Sequence, residues 1–491
     1  MSRFSDFFGL QQPTDKAVKL VRLMVLFMPT MAATYTISTT FWMIYIAESL
    51  GGGDYYAGLG LVGVLIVIQL VVQTVLDYPS GALGDHIGQR YIIGMALMAY
   101  AVAFWMTSIV DQSSPFLYFV IIYVLMGVGQ SQESGAWGAW FDNNYRVAMP
   151  HDKDRKMYGM MQGRMGMIFQ IVSTLVLLPG AWLAVLYSRV WVFRLQAAAS
   201  VVLAVVVFKI VRDFPEAEAI RKKQNAESGG YVRVLKDGVR FLVSSRFVAF
   251  SIFGETILWA TGTLWWQLLL FPLYFTYLVT DVAVSGYRTL VFIPNVASQE
   301  RSGIWSRRFD PIKWVPRLRL MQFCGVVFYL ALAFTTFYFA GASEEAERVA
   351  LYLPFTSVPL FEVPVQSIIP LVLIFIIFTI GDFLGAFADV LSQRVMIDVI
   401  PNRIRNSLYS LRPTLAVIFA MFLIPFFSTF LPAYGFGPTF ALVTLVALAG
   451  TILVKIGYSN PVPRSYDIQT VEPNIAANEP EIATQSIEDS T

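Results

Sequence analysis

Twelve apolar runs, each long enough to cross a hydrocarbon layer about 30 Å thick at about 1.5 Å per residue, take up most of this 491-residue chain. They fall at 20–48, 56–77, 91–110, 116–141, 158–187, 191–211, 247–277, 284–304, 319–340, 367–392, 408–432 and 438–457. With 56% hydrophobic and 14% charged residues, a water-soluble fold would have no interior large enough to hide them, so the bilayer is the main solvent. The expected fold class is an all-α membrane protein with twelve transmembrane helices. The eighth run is the most polar, carrying Arg288, Asn295, Gln299, Glu300 and Arg301. It is kept as a span because removing it would put the two termini on opposite sides and break the charge asymmetry of the loops.

Lys and Arg crowd one set of loops: the N-terminus, Arg146 with Lys153, Arg155 and Lys156, the segment from Arg221 to Arg246, and that from Arg301 to Arg319. The opposite loops carry chiefly Arg189 and Arg348, and one of them holds Glu344, Glu345 and Glu347. The positive-inside rule therefore predicts a multi-pass protein of the cell membrane with both termini cytoplasmic. The N-terminus lacks the short apolar core and small-residue cleavage site of a secretory signal, so it is expected to be retained. The predicted organisation is a cytoplasmic segment at 1–19, six spans at 20–212, a cytoplasmic linker at 213–246, six more spans at 247–458 and a disordered acidic tail at 459–491. Within the linker, Tyr231, Leu235, Val239 and Leu242 recur at helical spacing and predict an amphipathic helix on the inner leaflet.

Several partners and chemistries are disfavoured. A net charge of +2 gives no basic field for nucleic acid. The lone Cys324 allows no internal disulfide, and with only His86 and His151 a metal site is not expected. No phosphate-binding Gly-x-x-x-x-Gly-Lys-Ser/Thr loop occurs, and no cofactor is implied. No nucleophile cluster marks an enzyme.

The segment DYPSGALGDHIGQR, from Asp77 to Arg90, lies between the second and third runs, and SGAWGAWFDN closes the fourth. Gly81, Gly84 and Gly88 suit a short polar hairpin, and Asp85 sets a negative charge at the membrane edge. This pattern resembles the loop signature of the major facilitator superfamily of secondary transporters, in a prokaryotic branch with drug-efflux-like members. The resemblance covers about residues 18–458 and implies two pseudo-symmetric six-helix bundles. It also implies that Asp85 caps the start of span eleven near Asn406, and that Arg90 pairs with Asp142 as a gating contact. The sequence departs from the family at His86 and Gln89, which leaves Arg90 one place late. A faint duplication agrees with a six-plus-six plan: Pro150, Arg155 and Tyr158 before span five echo Pro401, Arg405 and Tyr409 before span eleven.

Ionisable groups at membrane depth are costly and mark cavities or partners. Glu133, Glu255, Asp382 and Asp389 lie within spans four, seven and ten, and Arg164 and Arg412 within spans five and eleven. The expected pairs are Glu133 with Arg164, and Asp389 or Asp382 with Arg412; the alternative is that both arginines snorkel to the interface. Gln69, Gln73 and Asp77 form a polar stripe on span two, either lining the cavity or bonding to a neighbouring helix. Spans one, four, seven and ten, with two, five, eight and eleven beside them, surround the cavity in the family, which makes Arg288 and Asn295 on the polar eighth span candidate contacts. Tyr35, Trp42, Trp137, Trp140, Trp259 and Trp266 are cavity or packing aromatics. Glycines at 127, 129, 135, 138, 159, 163 and 166 suit close helix packing, the alternative being that they let spans four and five slide or bend.

The function expected from the residues and the resemblance is secondary active transport of a small organic solute by alternating access, with protons as coupling ion and a monomer as the working unit. A non-transporting sensor or scaffold that keeps the fold is the other reading.

Overall fold

A computed structural model describes residues 3–133, 136–152, 156–219, 239–305, 308–352, 359–400 and 405–463. Eleven of its described helical stretches are long and apolar enough to cross a membrane. The twelfth crossing is the polar one, a continuous 25-residue helix from Asp281 to Trp305. The spans run Asp15–Leu50, Tyr55–Ile87, Gln89–Thr107, Phe116–Ala148, Lys156–Leu186, Arg189–Ile210, Arg246–Leu278, Asp281–Trp305, Pro311–Tyr338, Ile368–Val399, Arg405–Tyr434 and Phe436–Tyr458. The expected amphipathic linker helix falls mostly at 220–238, and most of the expected tail at 464–491; both lie outside the described residues.

The packing is duplicated. Span three lies on six as nine lies on twelve, two on four as eight on ten, and one on five as seven on eleven. The halves meet through span two against eleven and span five against eight, as a pseudo-twofold axis requires.

One end of the bundle, the termini side, is tied within the first half. Lys16 meets Glu216 at 2.7 Å, Thr14 donates to the Ala148 carbonyl at 2.6 Å, and Asn144 bridges Asp213 and the Phe214 amide. The opposite, distal end joins the halves. There Arg189 of span six forks onto Asp281 at the head of span eight, at 2.6 and 2.8 Å, and reaches Glu48 of span one at 2.6 Å. Tyr56 bonds Thr276, Thr40 bonds Ser285, and Ser428 approaches the Gly60 carbonyl. Gly63 lets span eleven come close: a Cβ there would stand 2.1 Å from the Ser428 hydroxyl.

The cores follow the same division. Leu59, Val62, Leu65, Phe119 and Ile122 of the first half belong to one apolar core with the whole second half. Leu20, Met24, Trp140, Phe141 and Val207, nearer the termini side, form a separate core. Among the described residues, the bundles are thus fused distally and distinct towards the termini.

Three irregularities depart from the uniform helices predicted. Span one breaks at Ile37–Ser38. Span seven contains a π turn, Trp265–Leu269, closed by the Leu270 amide on the Trp265 carbonyl. Span nine is interrupted at Gln322–Gly325, where Cys324 takes φ 59° and the Phe323 amide bonds the Gly381 carbonyl at 2.8 Å. A distal hairpin, β1 (Arg348–Tyr352) against β2 (Pro359–Pro364), was not foreseen. Its Phe361 is seated on Gly286, where a Cβ would be 2.1 Å from the ring.

The Gly81–Arg90 segment is not the open hairpin that was predicted. Span two continues helically to Ile87 and span three begins at Gln89, so only Gly88, at φ 111°, turns the chain. Gly84 packs against the end of the Gln89 side chain, whose carboxamide oxygen would lie 2.5 Å from a Cβ there, whereas Gly81 faces open space.

Candidate functional site

A cavity of about 330 Å³ sits where the halves face each other. The break in span one presents Tyr35, Ser38, Thr39 and Trp42 to it. Span two adds Gln69, span three Tyr100, and span four Tyr123, Gln130 and Glu133. The π turn of span seven turns Trp266 and Gln267 into the far wall. Such a turn adds one residue to the helical circuit, which re-aims the side chains that follow.

Glu133 accepts a hydrogen bond from the Tyr100 phenol at 3.0 Å, and no other bond to it is seen among the described residues. Tyr35 stacks beside Tyr100 with ring centroids 4.8 Å apart. Gln69 donates to Gln130 at 2.9 Å, so the polar stripe of span two both lines the cavity and bonds to a neighbouring helix. Gln73 and Asp77, further along that stripe, do not line it.

Behind Trp266 and Gln267 lies a second cavity of about 460 Å³, walled by spans seven, nine and ten. Trp259, Thr263, Phe323, Asp382 and Asp389 line it, with Arg319 and Gln322 from the broken span nine. Arg319 is 3% exposed and joins Glu255, 1% exposed, at 3.0 Å and Asp389 at 2.7 Å. Glu255 also accepts from Ser392 at 2.6 Å and from Arg412. This cluster, buried at Arg319 and Glu255 and open at Asp389, ties spans seven, nine, ten and eleven together with two cations and two carboxylates.

Neither expected ion pair forms. Arg164 lies over the Phe7 ring at 4.9 Å, because its helix turns it towards the N-terminal segment rather than towards span four. Arg412 goes to Glu255 instead of Asp389 or Asp382, and Asp389 goes to Arg319. Spacing along a helix gives depth but not the partner across the bundle, and Arg319 was counted among the loop cations. Arg90 stacks on Tyr91 rather than reaching Asp142, which takes Arg146 one turn along its own helix at 2.9 Å. The side chains of Asp85, Asn295 and Asn406 lie outside the described residues.

Of the polar residues behind the expectation of a water-lined eighth span, Arg288 alone has a described side chain, those of Asn295, Gln299, Glu300 and Arg301 lying outside the described residues. The span's described side chains are mostly enclosed by spans five, one and ten. Ser285 bonds Thr40, Thr289 bonds the Thr174 carbonyl, and Tyr287 bonds the Leu371 carbonyl at 2.7 Å. Arg288, buried to 3%, stacks on Trp266 and Phe292 at 4.5 and 3.9 Å and faces Tyr274 and Asp382. It lines neither cavity. Of the aromatics, Tyr35, Trp42 and Trp266 reach the first cavity and Trp259 the second, while Trp137 and Trp140 pack in the core with Phe27. Tyr100, Gln130 and Gln267 were missed, although a glutamine in an apolar run was a visible signal.

Two duplicated six-helix bundles, a cavity between them and unpaired polar groups at mid-membrane define a polytopic protein of the solute-carrying kind. The model of the Major Facilitator Superfamily matches residues 23–356, and the chain belongs to that family. Among solved structures, the nucleoside transporter NupG is similar over 89% of this chain and 99% of its own, with 10% identity and a TM-score of 0.63. A bacterial homologue of the human lysosomal transporter Spinster, inward-facing and unoccupied, is similar over 91% and 98%, with 11% identity and a TM-score of 0.61. The inward-open xylose transporter XylE from E. coli covers 92% and 99%, at 13% identity and 0.53. At such identities the likeness concerns the fold. No curated protein matches in sequence.

Proposed function

We propose that this protein is a secondary active transporter that moves a small organic solute by alternating access, coupled to protons through Glu133. The observation that carries the reading is the placement of Glu133. It stands in the wall of the cavity between the halves, with one phenol as its partner and no basic side chain among the described lining residues. A half-buried carboxylate against apolar and aromatic walls at membrane depth favours the neutral acid or a cation beside it, so it can load and release a proton as its surroundings change. Glu255, saturated by two arginines and a serine, has no such freedom.

The bias of Lys and Arg puts the termini in the cytoplasm. Since polar contacts between the halves gather at the distal end, this conformation is then inward-facing. Gly138, Gly163 and Gly166 on spans four and five have nothing within 4 Å of where a Cβ would be. They are surfaces waiting for a partner, which closure of the termini side would supply.

Reconstitution into liposomes under an imposed pH gradient tests the reading. Solute accumulation should follow the gradient in the wild type, and Glu133→Gln should exchange solute without accumulating it. Accumulation by Glu133→Gln equal to wild type would overturn the assignment of Glu133. A wild-type protein that moves no solute would favour the sensor or scaffold reading.

A further inference from the structure

The charge and wall chemistry of the central cavity point to its cargo. We propose that the cavity takes a ring-bearing organic monocation, with Glu133 as its counter-ion; this rests on the transporter reading above.

The formal charge of the described lining is −1, from Glu133 alone; no Lys, Arg or His lines the cavity. Arg288 of span eight is held against the Trp266 and Phe292 rings and faces Asp382. The titratable groups that face Glu133 are the phenols of Tyr100 and Tyr35. An uncharged cargo would displace water from the ionised carboxylate without pairing its charge, an unfavourable desolvation, or would require it to be protonated. A cationic cargo supplies what the site lacks.

The walls agree. Trp42 and Tyr123 sit with centroids 5.1 Å apart, and Tyr35 and Tyr100 at 4.8 Å. The Tyr35–Tyr100 pair stands at the carboxylate, and the Trp42–Tyr123 pair lines the wall further along span four. Ring faces attract a cation and stack on a flat ring. The Trp42 indole N–H and the Tyr35 and Tyr123 hydroxyls are buried without hydrogen-bond partners. The Trp42 and Tyr123 groups suit an acceptor, such as a phenol or ether oxygen, at the uncharged end of the cargo. A volume of about 330 Å³ has room for one ring with a short arm.

Cation and proton then compete. Protonated Glu133 that meets the cation gives up its proton to solvent, and the ionised carboxylate pairs with the cargo; charge and protons balance.

The test uses full-length protein in lipid nanodiscs and three matched probes: tyramine, its uncharged isostere tyrosol, and the anion 4-hydroxyphenylpropionate, with uridine and D-xylose as uncharged polar solutes. Calorimetry should find tyramine bound at least about tenfold more tightly than tyrosol, with the difference lost in Glu133→Gln. In the wild type, which needs no variant to fold, tyramine affinity should fall about tenfold per pH unit once Glu133 is protonated, with proton release on binding. Binding of tyrosol, uridine or D-xylose as tight as tyramine, or tyramine binding indifferent to pH, would overturn the proposal, as would no tyramine binding at millimolar concentration. Counterflow in liposomes separates the two claims. A cation bound but not carried would contradict transport and leave the site standing, whereas carriage of an uncharged probe alone would do the reverse.

Discussion

Glu255 and Glu133 are both membrane-buried carboxylates, and their surroundings give them opposite roles. Glu255 holds Arg319, Arg412 and Ser392. Glu255→Gln leaves two guanidinium groups facing each other in a low-dielectric interior. It is expected to destabilise the protein by about 3–5 kcal/mol, seen as a clear drop in Tm by thermal unfolding in detergent; an unchanged Tm would contradict the structural role. Glu133→Gln, by contrast, should leave Tm nearly unchanged, because a neutral amide in that place still accepts from Tyr100. The sequence made both carboxylates visible, since a charge in an apolar run stands out. It did not show which would be saturated. Arg319 ends a basic loop segment and reads as an interfacial cation, and only the break at Gln322–Gly325 lets its helix aim it inward. Helical spacing placed Arg164 and Arg412 at similar depth, yet rotation about the helix axis sent one to Phe7 and the other to Glu255.

At the scale of elements, hydropathy located the spans because length and apolar content are properties of each segment alone. The kinks are not. The break in span one and the π turn in span seven arise where the chain adjusts to neighbours, and both occur at the cavity. The eighth span is the helix expected, and its described polar side chains bond to neighbouring helices. The glycines of spans four and five divide between close packing and open space. Gly127 and Gly129 are close-packed, their missing Cβ atoms falling 2.6 Å from the Gln69 carbonyl and 2.7 Å from the Tyr100 ring. Gly138, Gly163 and Gly166 border open space in this conformation. Gly166→Leu is therefore expected to leave expression and Tm intact while cutting transport at least about tenfold, by keeping spans on the termini side apart. Transport at the wild-type rate would contradict a closure that uses this face. Gly63→Leu should act at the other end, where it collides with Ser428, and favour distal opening.

For the whole molecule, the closed distal end depends on packing of the shared apolar core and on the Arg189 fork to Asp281, with Glu48 alongside. The fork is partly exposed, so its loss weakens closure modestly. Arg189→Gln is expected to shift the balance of conformations by about 1 kcal/mol, roughly fivefold, towards distal opening. Spin-label distances between the distal ends of spans two and seven would report the shift as a longer component. An unaltered distribution would assign closure to the core alone. The central claim, that the cavity holding Glu133 is reached alternately from the two faces, has a more direct test. Thr39 lines that cavity and is exposed, and Cys324→Ser removes the chain's only native thiol. In oriented vesicles, a membrane-impermeant thiol reagent should label Thr39→Cys from the termini side at rest, and from the distal side only during turnover with cargo and a proton gradient. A cysteine labelled from one face under every condition, or equally from both at rest, would contradict the account.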